Sequence, residues 1–206
     1  VVDYITAGVD TIGSSLSFAI GLIAKHPRVQ HKLQLEIDHF ITTNAALDYI
    51  TPNLIKDMVY LRACIKESFR MYPTASQLAR ISEVDTEVSG GYTLPKGSIV
   101  LCHHRVAALQ EENFTHADKF IPERWLEENS TTWNLEPSLV VPFGVGKRAC
   151  PGKRLAEQEI YILIAKLFQA FDIQLLDEVD AEFNFLLTPT GPFRLKVTDR
   201  NRFQKG

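Results

Sequence analysis

The stretch Phe143-Gly144-Val145-Gly146-Lys147-Arg148-Ala149-Cys150-Pro151-Gly152 decides how the rest of this 206-residue chain is interpreted. It places one cysteine after a glycine-rich turn and directly before a proline. Glycine permits the close backbone approach that a turn beneath a flat ligand requires. Proline suits the first position of a helix, and the positive end of a helix stabilises a thiolate. The stretch therefore predicts a reactive thiolate at Cys150, whereas a lone cysteine is more often a buried structural residue.

The chain outside this stretch is predicted to be helical in its first third. Apolar residues recur at helical spacing over residues 1–25, and Pro27 suits the first turn of a second helix that runs to about Ile41. Further helices are predicted at 51–57, 59–71 and 151–171. The last of these helices is expected to bury one apolar face, formed by Leu155, Ile160, Leu163, Ile164, Leu167 and Phe168.

Short strands are predicted after the first four helices. Alternation of apolar and polar residues begins at Thr74, and a Gly90-Gly91 pair indicates a hairpin over residues 86–101. Residues 110–142 show little periodicity and are predicted to form an extended, ordered loop, and residues 172–198 are predicted to form short strands. The whole pattern predicts a mainly α fold with small β-sheets, which is an α+β class.

Composition sets modest bounds on function. The formal net charge is −3, from 22 lysines and arginines against 25 aspartates and glutamates, which argues against general nucleic-acid binding. Three scattered cysteines are too few for a disulfide framework and fit a reducing compartment. The apolar stretches are shorter than the roughly 20 residues that a membrane span needs. The chain opens inside apolar sequence without a methionine, so we expect it to be a fragment.

Two further motifs are weak when each is considered alone. Glu67 and Arg70, within Lys66-Glu67-Ser68-Phe69-Arg70, lie three residues apart on one predicted helix face, where they can interact. A solvated surface pair is the commoner meaning of that spacing. The second motif is Ala7-Gly8-Val9-Asp10-Thr11, and by itself it indicates no more than an ordinary contact between helices. Both motifs gain meaning from their order along the chain relative to the cysteine stretch.

Together with Pro122-Glu123-Arg124-Trp125, these motifs resemble the cytochrome P-450 family of haem-thiolate monooxygenases. The cysteine stretch matches the family pattern F-x-x-G-x-R-x-C-x-G. The resemblance covers essentially the whole chain and implies that residues 1–206 are the C-terminal part of a single cytochrome P-450 domain. It implies haem b as the cofactor and Cys150 as the axial ligand of the iron. The other residues that it places at the haem are Arg80, Phe143, Gly144, Arg148 and Gly152.

The same resemblance assigns roles to the weaker motifs. It implies a buried charge triad that holds the segment leading to the cysteine and is needed for haem retention, formed by Glu67, Arg70 and Arg124. On the distal side of the haem, Gly8 would make room for O₂ and substrate. Thr11 would offer its hydroxyl to the oxygen, and Asp10 would feed protons.

Two features resemble the mitochondrial-type branch of the family. Arg62 and Lys66 lie four residues apart on the predicted helix of Glu67, and branch members carry two basic residues at this spacing to bind an acidic iron–sulfur ferredoxin. The run from Gly152 to Glu159 is also similar to the branch. From the sequence alone, a solvated basic face is an equally good interpretation of Arg62 and Lys66. The branch implies the matrix side of the mitochondrial inner membrane, with the endoplasmic reticulum as the alternative, and membrane association through a missing N-terminal half.

The resemblance implies insertion of one oxygen atom of O₂ into a C–H bond of a lipophilic substrate. Segments 79–81, 112–126 and 141–146 are most similar to branch enzymes that act on the steroid ecdysone, so ecdysone 20-hydroxylation is favoured. Oxidation of xenobiotics within the same branch stays open. So does a non-catalytic haem-binding or interaction protein on the same fold. Trp125 and Trp133 are interpreted as packing residues.

Overall fold

Six α-helices supply most of the regular structure in the computed structural model, which describes residues 2–43, 51–127 and 135–200. The five predicted helices are confirmed, with ends that agree to within about two residues. A short helix not predicted from the sequence follows the first strands. The helices are α1 Val2–Lys25, α2 Pro27–Thr43, α3 Pro52–Asp57, α4 Val59–Met71, α5 His104–Ala108 and α6 Lys153–Ala170. Residues 44–50, between α2 and α3, lie outside the described residues.

Side-chain caps fix the starts of two helices. The Thr51 hydroxyl accepts a hydrogen bond from the backbone N–H of Leu54 at 3.2 Å, as an N-cap residue does at the start of α3. Helix α4 has no cap from its own N-cap residue. Instead Glu36 of α2 accepts the backbone N–H groups of Tyr60 and Leu61 at 2.7 and 2.8 Å. This carboxylate therefore satisfies two otherwise unpaired donors and joins α2 to the start of α4.

The strands form four two-stranded antiparallel sheets in the described part of the chain. They are β1 Leu78–Ile81, β2 Thr86–Val88, β3 Tyr92–Leu94, β4 Ile99–Cys102, β5 Phe171–Leu175, β6 Ala181–Asn184, β7 Leu186–Pro189 and β8 Leu195–Asp199. The pairs are β1 with β4, β2 with β3, β5 with β8 and β6 with β7. The expected class, mainly α with small sheets, is confirmed.

The hairpin predicted over residues 86–101 is correct only in its inner part. Strands β2 and β3 pair, with Val88 opposite Tyr92, across a turn in which Gly90 and Gly91 have φ angles of +88° and +77°. Strand β4, however, pairs with β1, so the β2–β3 hairpin is inserted between the two strands of another sheet. Local alternation does not encode this choice, because strand partners depend on contacts between distant residues.

The main hydrophobic core lies where α1, α2, α4 and α6 pack against one another. Each large apolar side chain buried there contributes roughly 1.5–3 kcal/mol relative to an exposed one. Its fully or almost fully buried members include Ile23, Leu33, Ile37, Leu61, Ile160 and Phe168. The part of α1 from Ile12 onward takes part in this core, whereas Ile5 and Val9 are 62% and 65% exposed. The first half of α1 therefore presents apolar surface.

One face of α6 was predicted incorrectly. Leu155 and Leu163, which were expected to be buried, are 62% and 51% exposed. The residues that α6 buries are Ile160, Ile164, Ala165 and Phe168. The helical period of the apolar residues is correct, but the period alone does not show which part of a broad apolar stripe other elements cover.

The segment Ile5–Lys25 is long and apolar enough to cross a membrane by length and composition alone, with a mean hydropathy of 1.4. The prediction that all apolar stretches are too short was therefore wrong, because Asp10 interrupts the stretch without making it polar overall. In this structure 44% of the segment's most apolar window is buried against other elements. Burial of this kind is typical of a core helix in a folded protein.

The described part of residues 110–142, which were predicted as an extended ordered loop, includes short 3-10 helices at Pro122–Trp125 and Pro137–Leu139. Residues 128–134 lie outside the described part of the chain. The segment packs on a second, smaller core that consists of Ala108, Phe114 and Ala117. A proline begins each of these 3-10 helices, because its fixed φ angle suits a helical turn. The segment lacks the regular apolar spacing from which a helix is predicted.

Candidate functional site

Cys150 lies at the end of an exposed loop whose backbone is held by internal hydrogen bonds. Its backbone N–H donates to the carbonyl of Phe143 at 2.8 Å, and the Ala149 N–H donates to the carbonyl of Gly146 at 3.0 Å. Gly144 and Gly146 have φ angles of +69° and +71°, which L-amino acids with side chains rarely adopt. The loop therefore folds back on itself and leaves Cys150 exposed to solvent.

Helix α6 begins later than the sequence predicts. Its first residue is Lys153 and its N-cap is Gly152, so Pro151 lies in a turn between the cysteine and the helix. The fixed φ angle of proline suits such a turn as well as a first helical position, and the local sequence does not distinguish the two. Cys150 is nevertheless close to the start of the helix, since its carbonyl accepts a hydrogen bond from the Lys153 N–H at 3.4 Å.

Gly152 lies directly beside the Cys150 sulfur. A Cβ atom added to Gly152 would lie 3.8 Å from the Cys150 sulfur, and one added to Gly146 would meet nothing within 4 Å. Among the described residues, no three His, Cys, Asp or Glu side chains lie together as ligands for a bare metal ion. An exposed thiol can supply one ligand to an iron whose other ligands belong to a planar macrocycle.

Strand β1 packs against the Cys150 loop and carries an arginine. A Cβ atom added to Gly144 would lie 3.7 Å from the Leu78 side chain. Arg80 is two residues further along the strand and therefore lies on the same strand face as Leu78. Arg80 and Arg148 are both exposed. These two guanidinium groups are suited to bind carboxylates at the edge of a macrocycle.

A buried carboxylate in α4, that of Glu67, accepts hydrogen bonds from five donors. Arg70 donates twice, from Nε to Oε2 at 3.0 Å and from Nη2 to Oε1 at 2.9 Å. Arg124 Nε and the Ile121 backbone N–H donate to Oε1 at 3.0 and 3.1 Å, and Trp125 Nε1 donates to Oε2 at 2.8 Å. The three charged side chains are fully excluded from solvent. The structure therefore brings together the three residues that the motifs singled out.

The two arginines of this network also hold the backbone of the preceding loop. Arg70 donates at 2.7–3.1 Å to three carbonyl oxygens, those of Ala108, Ala117 and Lys119. Arg124 donates to two more, those of Thr115 and His116. The Cys150 loop is joined to α4 by a different contact, an edge-to-face pair of Phe69 and Phe143 with ring centroids 5.5 Å apart. The charge network thus fixes residues 108–119 directly, and Phe69 links α4 to the cysteine loop.

Gly8, Asp10 and Thr11 lie in the exposed first half of α1. The Thr11 hydroxyl donates to the carbonyl of Ala7 at 2.7 Å, so the helix backbone orients it. A Cβ atom added to Gly8 would meet nothing within 4 Å, and Asp10 is exposed. Among the described residues, no hydrogen bond joins Asp10 or Thr11 to the Cys150 loop. The structure therefore shows open space around these residues but no direct contact with the thiol.

Arg62 and Lys66 are exposed on α4 and line one groove, which we call the basic groove. Its volume is about 1000 Å³, and its walls are α4, the loop 140–145 that leads to Cys150, and the start of α6. Lys153 adds a third cation and lies 3.9 Å from the carboxylate of Glu157. Among the described residues, no carboxylate forms an ion pair with Arg62 or Lys66. The basic groove therefore holds two cations whose charge is not neutralised locally.

Trp125 does more than the packing that we predicted for it. Its indole N–H donates to Glu67, 58 residues earlier, and its ring lies beneath the Lys66 ammonium, with Nζ 4.0 Å from the ring centroid. The only local indication of such a role was its place directly after Arg124. Trp133, for which packing was also predicted, lies outside the described residues.

Comparison with known proteins gives matches along nearly the whole chain, and the cytochrome P450 family matches residues 1–197. Ecdysone 20-monooxygenase of Drosophila melanogaster is 40% identical over 203 residues, which are 97% of this chain and 36% of that protein. Cytochrome P450 3A6 of Oryctolagus cuniculus is 36% identical over 204 residues, 97% of this chain and 40% of that protein. The mitochondrial 1,25-dihydroxyvitamin D(3) 24-hydroxylase of Mus musculus is 37% identical over 178 residues, 85% of this chain and 33% of that protein.

The chain thus spans between a third and two fifths of the length of these curated relatives. The family match nevertheless takes in every motif described above, from the first half of α1 to the last strand. This chain belongs to the cytochrome P450 family.

Proposed function

We propose that the protein containing this chain is a haem-thiolate monooxygenase, and that residues 1–206 form the C-terminal part of its single cytochrome P450 domain. The observation that carries the proposal is the exposed Cys150, at the end of a hydrogen-bonded loop, with a glycine, Gly152, beside its sulfur. The proposed cofactor is haem b, iron protoporphyrin IX, with the Cys150 thiolate as axial ligand. When bound, the iron supplies the activation of O₂, which amino-acid side chains do not provide.

The residues around Cys150 have separate tasks in this proposal. The thiolate donates electron density to the iron. Gly152 places no side chain beside the sulfur, and Gly144 adopts the positive φ angle that the loop requires. Phe143 holds the loop on α4 through Phe69. Arg80 and Arg148, which are exposed near the loop, would bind the two haem propionates through charge-assisted hydrogen bonds.

The charge triad serves haem retention by keeping the scaffold in place. Glu67, Arg70 and Arg124 together fix the backbone of residues 108–119, and α4 carries Phe69 to the cysteine loop. A carboxylate with five donors holds its neighbours in one arrangement, because each broken bond would leave a buried polar group unsatisfied. The triad is a structural element in this proposal and takes no part in the chemistry.

Three residues of α1 would serve O₂ on the opposite side of the haem. Gly8 leaves space for O₂ and substrate, since no atom lies within 4 Å of the position of a Cβ. The Thr11 hydroxyl, oriented by the Ala7 carbonyl, can hold a proton at a fixed point. Asp10 is exposed and can exchange protons with solvent. Controlled proton delivery is what these residue types offer to an oxygenase.

The proposed substrate is a lipophilic molecule of the steroid class, with ecdysone 20-hydroxylation as the favoured reaction. The activities named for two relatives, an ecdysone 20-monooxygenase and a 1,25-dihydroxyvitamin D(3) 24-hydroxylase, support this class. The exposed apolar side chain of Ile5 lies three residues before Gly8 and therefore on the same face of α1. Apolar surface at this place suits a substrate that has little to offer in hydrogen bonds.

The proposed electron donor is an acidic iron–sulfur ferredoxin that binds at Arg62 and Lys66. The net charge of the chain is −3, so these locally unpaired cations would steer an acidic partner to one place on an otherwise weakly acidic surface. The basic groove also reaches the loop that leads to Cys150. A ferredoxin donor agrees with the matrix side of the mitochondrial inner membrane, with the endoplasmic reticulum as the alternative location.

The test is incorporation of labelled oxygen by the intact protein. With ecdysone, ferredoxin, ferredoxin reductase and ¹⁸O₂, we expect one labelled oxygen atom in each hydroxylated product and the second in water. Haem binding and reduction without any labelled product, from ecdysone or from a panel of other lipophilic compounds, would instead favour the non-catalytic haem-binding alternative. Labelled product from the other compounds but not from ecdysone would favour xenobiotic oxidation.

A further inference from the structure

Trp125 is in contact with both a buried carboxylate and an exposed cation. It is the last residue of the 3-10 helix Pro122–Trp125, packs on Phe114 with ring centroids 6.0 Å apart, and lines the basic groove. Its indole N–H donates to Glu67 at 2.8 Å, and the Lys66 Nζ lies 4.0 Å from its ring centroid. Lys66 and Glu67 are successive residues of α4, yet one is exposed and the other fully buried.

The ring of Trp125 is the strongest local attraction that the described residues offer to the Lys66 ammonium. No carboxylate of the described residues pairs with Lys66, and the positive charge of Arg62 repels it. Partial burial lowers the pKa of Lys66, and Arg62 lowers this pKa further. The negative face of an indole ring acts in the opposite direction and favours the charged lysine. A lysine held in this way keeps its charge and samples fewer positions.

The ring itself is held by the carboxylate network. Glu67 is fixed by Arg70 and Arg124, and the Trp125 N–H binds the oxygen that Arg70 Nε also binds. The indole therefore has little freedom to rotate away from Lys66. The indole ring of Trp125 therefore contacts both Glu67 of the buried triad and Lys66 in the basic groove.

We propose that Trp125 is a positioning residue for the electron donor. Its ring holds the Lys66 ammonium in the basic groove, where an acidic iron–sulfur protein meets it, and its N–H ties that ring to Glu67. Pre-fixing a flexible lysine lowers the entropy lost when an ion pair with a partner forms. This inference rests on the ferredoxin partner of the proposed function.

The test measures ferredoxin binding to the intact, haem-loaded protein, with a mitochondrial [2Fe–2S] ferredoxin as the probe. Position 125 is filled with tryptophans that carry one to three ring fluorines, which weaken the cation–π attraction but keep the N–H bond to Glu67. The series of position-125 variants runs from tryptophan through the fluorinated tryptophans to Trp125→Leu. It is made once in the protein that keeps Lys66 and once in the Lys66→Met protein. Val106→Ala, a change at an exposed residue of α5 that does not line the groove, is the control.

With Lys66 present, we expect the Kd to rise stepwise with fluorination, by roughly two- to fivefold in total. With Lys66→Met, the same series should leave the Kd unchanged, as should Val106→Ala in either background. Equal changes in both backgrounds, or none in either, would overturn the inference, because Trp125 would then be purely structural. The fluorinated variants keep the hydrogen bond, so the inference is tested even if Trp125→Leu loses its haem.

Failure of the proposed function gives a different result. A wild-type protein that has a thiolate-type ferrous–CO spectrum but does not bind the ferredoxin overturns the role of Trp125 and leaves the haem-thiolate proposal standing. A folded, haem-loaded protein without that spectrum contradicts the proposed function itself, before any variant is compared.

Discussion

Glu67 and Arg70 form a two-bond ion pair in which both side chains are fully excluded from solvent. Residues three apart on a helix surface usually form pairs worth less than about 1 kcal/mol. This pair differs because Arg124, Trp125 and a backbone N–H complete the carboxylate's hydrogen bonds. Removal of one member leaves a buried charge with fewer partners, and that loss is costly.

Replacement of Arg124 should test how much the network stabilises the fold. In the intact protein, Arg124→Met is expected to lower the free energy of unfolding by about 3–5 kcal/mol, because it removes one of two cations from a buried carboxylate and frees two backbone carbonyls. Haem dissociation should speed up in parallel. Urea unfolding and the rate of haem transfer to an acceptor globin would measure the two effects.

Arg28→Met, at an exposed position of α2, is the matched control for the same chemical change. It should alter stability by no more than about 0.5 kcal/mol. A similar small effect for Arg124→Met would show that the triad does not hold the scaffold.

The buried imidazole of His104 should make stability depend on pH. His104 is 7% exposed, and neither ring nitrogen has a hydrogen-bond partner of normal geometry among the described residues. Burial lowers its pKa, and weaker contacts with backbone groups of Ala75 and Cys102 only partly oppose this effect. Because the unfolded chain binds the proton more readily, this contribution to stability is complete above roughly pH 6.5. It is lost as the pH falls from there through the folded-state pKa.

His104→Leu should therefore flatten the fall in unfolding free energy between about pH 7.5 and pH 5, relative to the wild type. Guanidinium unfolding at several pH values is the measurement. His31→Leu, at an exposed residue of α2, should leave the fall unchanged. An equally steep fall in His104→Leu would show that another group causes it.

Substitution of Thr11 should separate electron consumption from product formation. Under the proposed function, Thr11→Ala removes a hydroxyl that holds a proton near O₂, so more reducing equivalents should leave as hydrogen peroxide. We expect a severalfold fall in product per NADPH consumed, with a matching rise in peroxide. Product, peroxide and NADPH would be measured in one reaction.

Ser17→Ala is the matched control for Thr11→Ala. Ser17 lies on the same helix, and its hydroxyl donates to the carbonyl four residues earlier, as the Thr11 hydroxyl does. Its loss should not change the yield of product. An equal fall in product per NADPH in both variants would point to a change in the helix. An unchanged product yield per NADPH in Thr11→Ala would contradict the proposed role of Thr11 in proton delivery.

Local sequence was sufficient for features whose cause is local. Helix α4 was predicted from Val59 to Met71 because its apolar period is strong and Pro73 follows it. The positive φ angles of Gly90 and Gly91 similarly follow from residue type. The contact of Glu67, Arg70 and Arg124 could be anticipated only through the family resemblance, since Arg124 is 57 residues from Glu67.

Features that depend on distant contacts could not be predicted. The pairing of β4 with β1 and the exposure of Leu155 and Leu163 are decided by which elements pack together. Trp125 is a similar case, because an indole that bridges a buried carboxylate and an exposed lysine has the same sequence context as one that only packs. Periodicity defines a helical face without defining what covers it.

The thiolate assignment of Cys150 is tested most directly by the ferrous–CO difference spectrum of the intact protein and of Cys150→Ser. The wild type should show the red-shifted Soret band of a thiolate ligand, and Cys150→Ser should lose it while the fold is retained. Cys102→Ser, at the other exposed cysteine, should keep the band. A Cys150→Ser protein with the unchanged thiolate-type band would contradict the account, because another residue would then be the axial ligand.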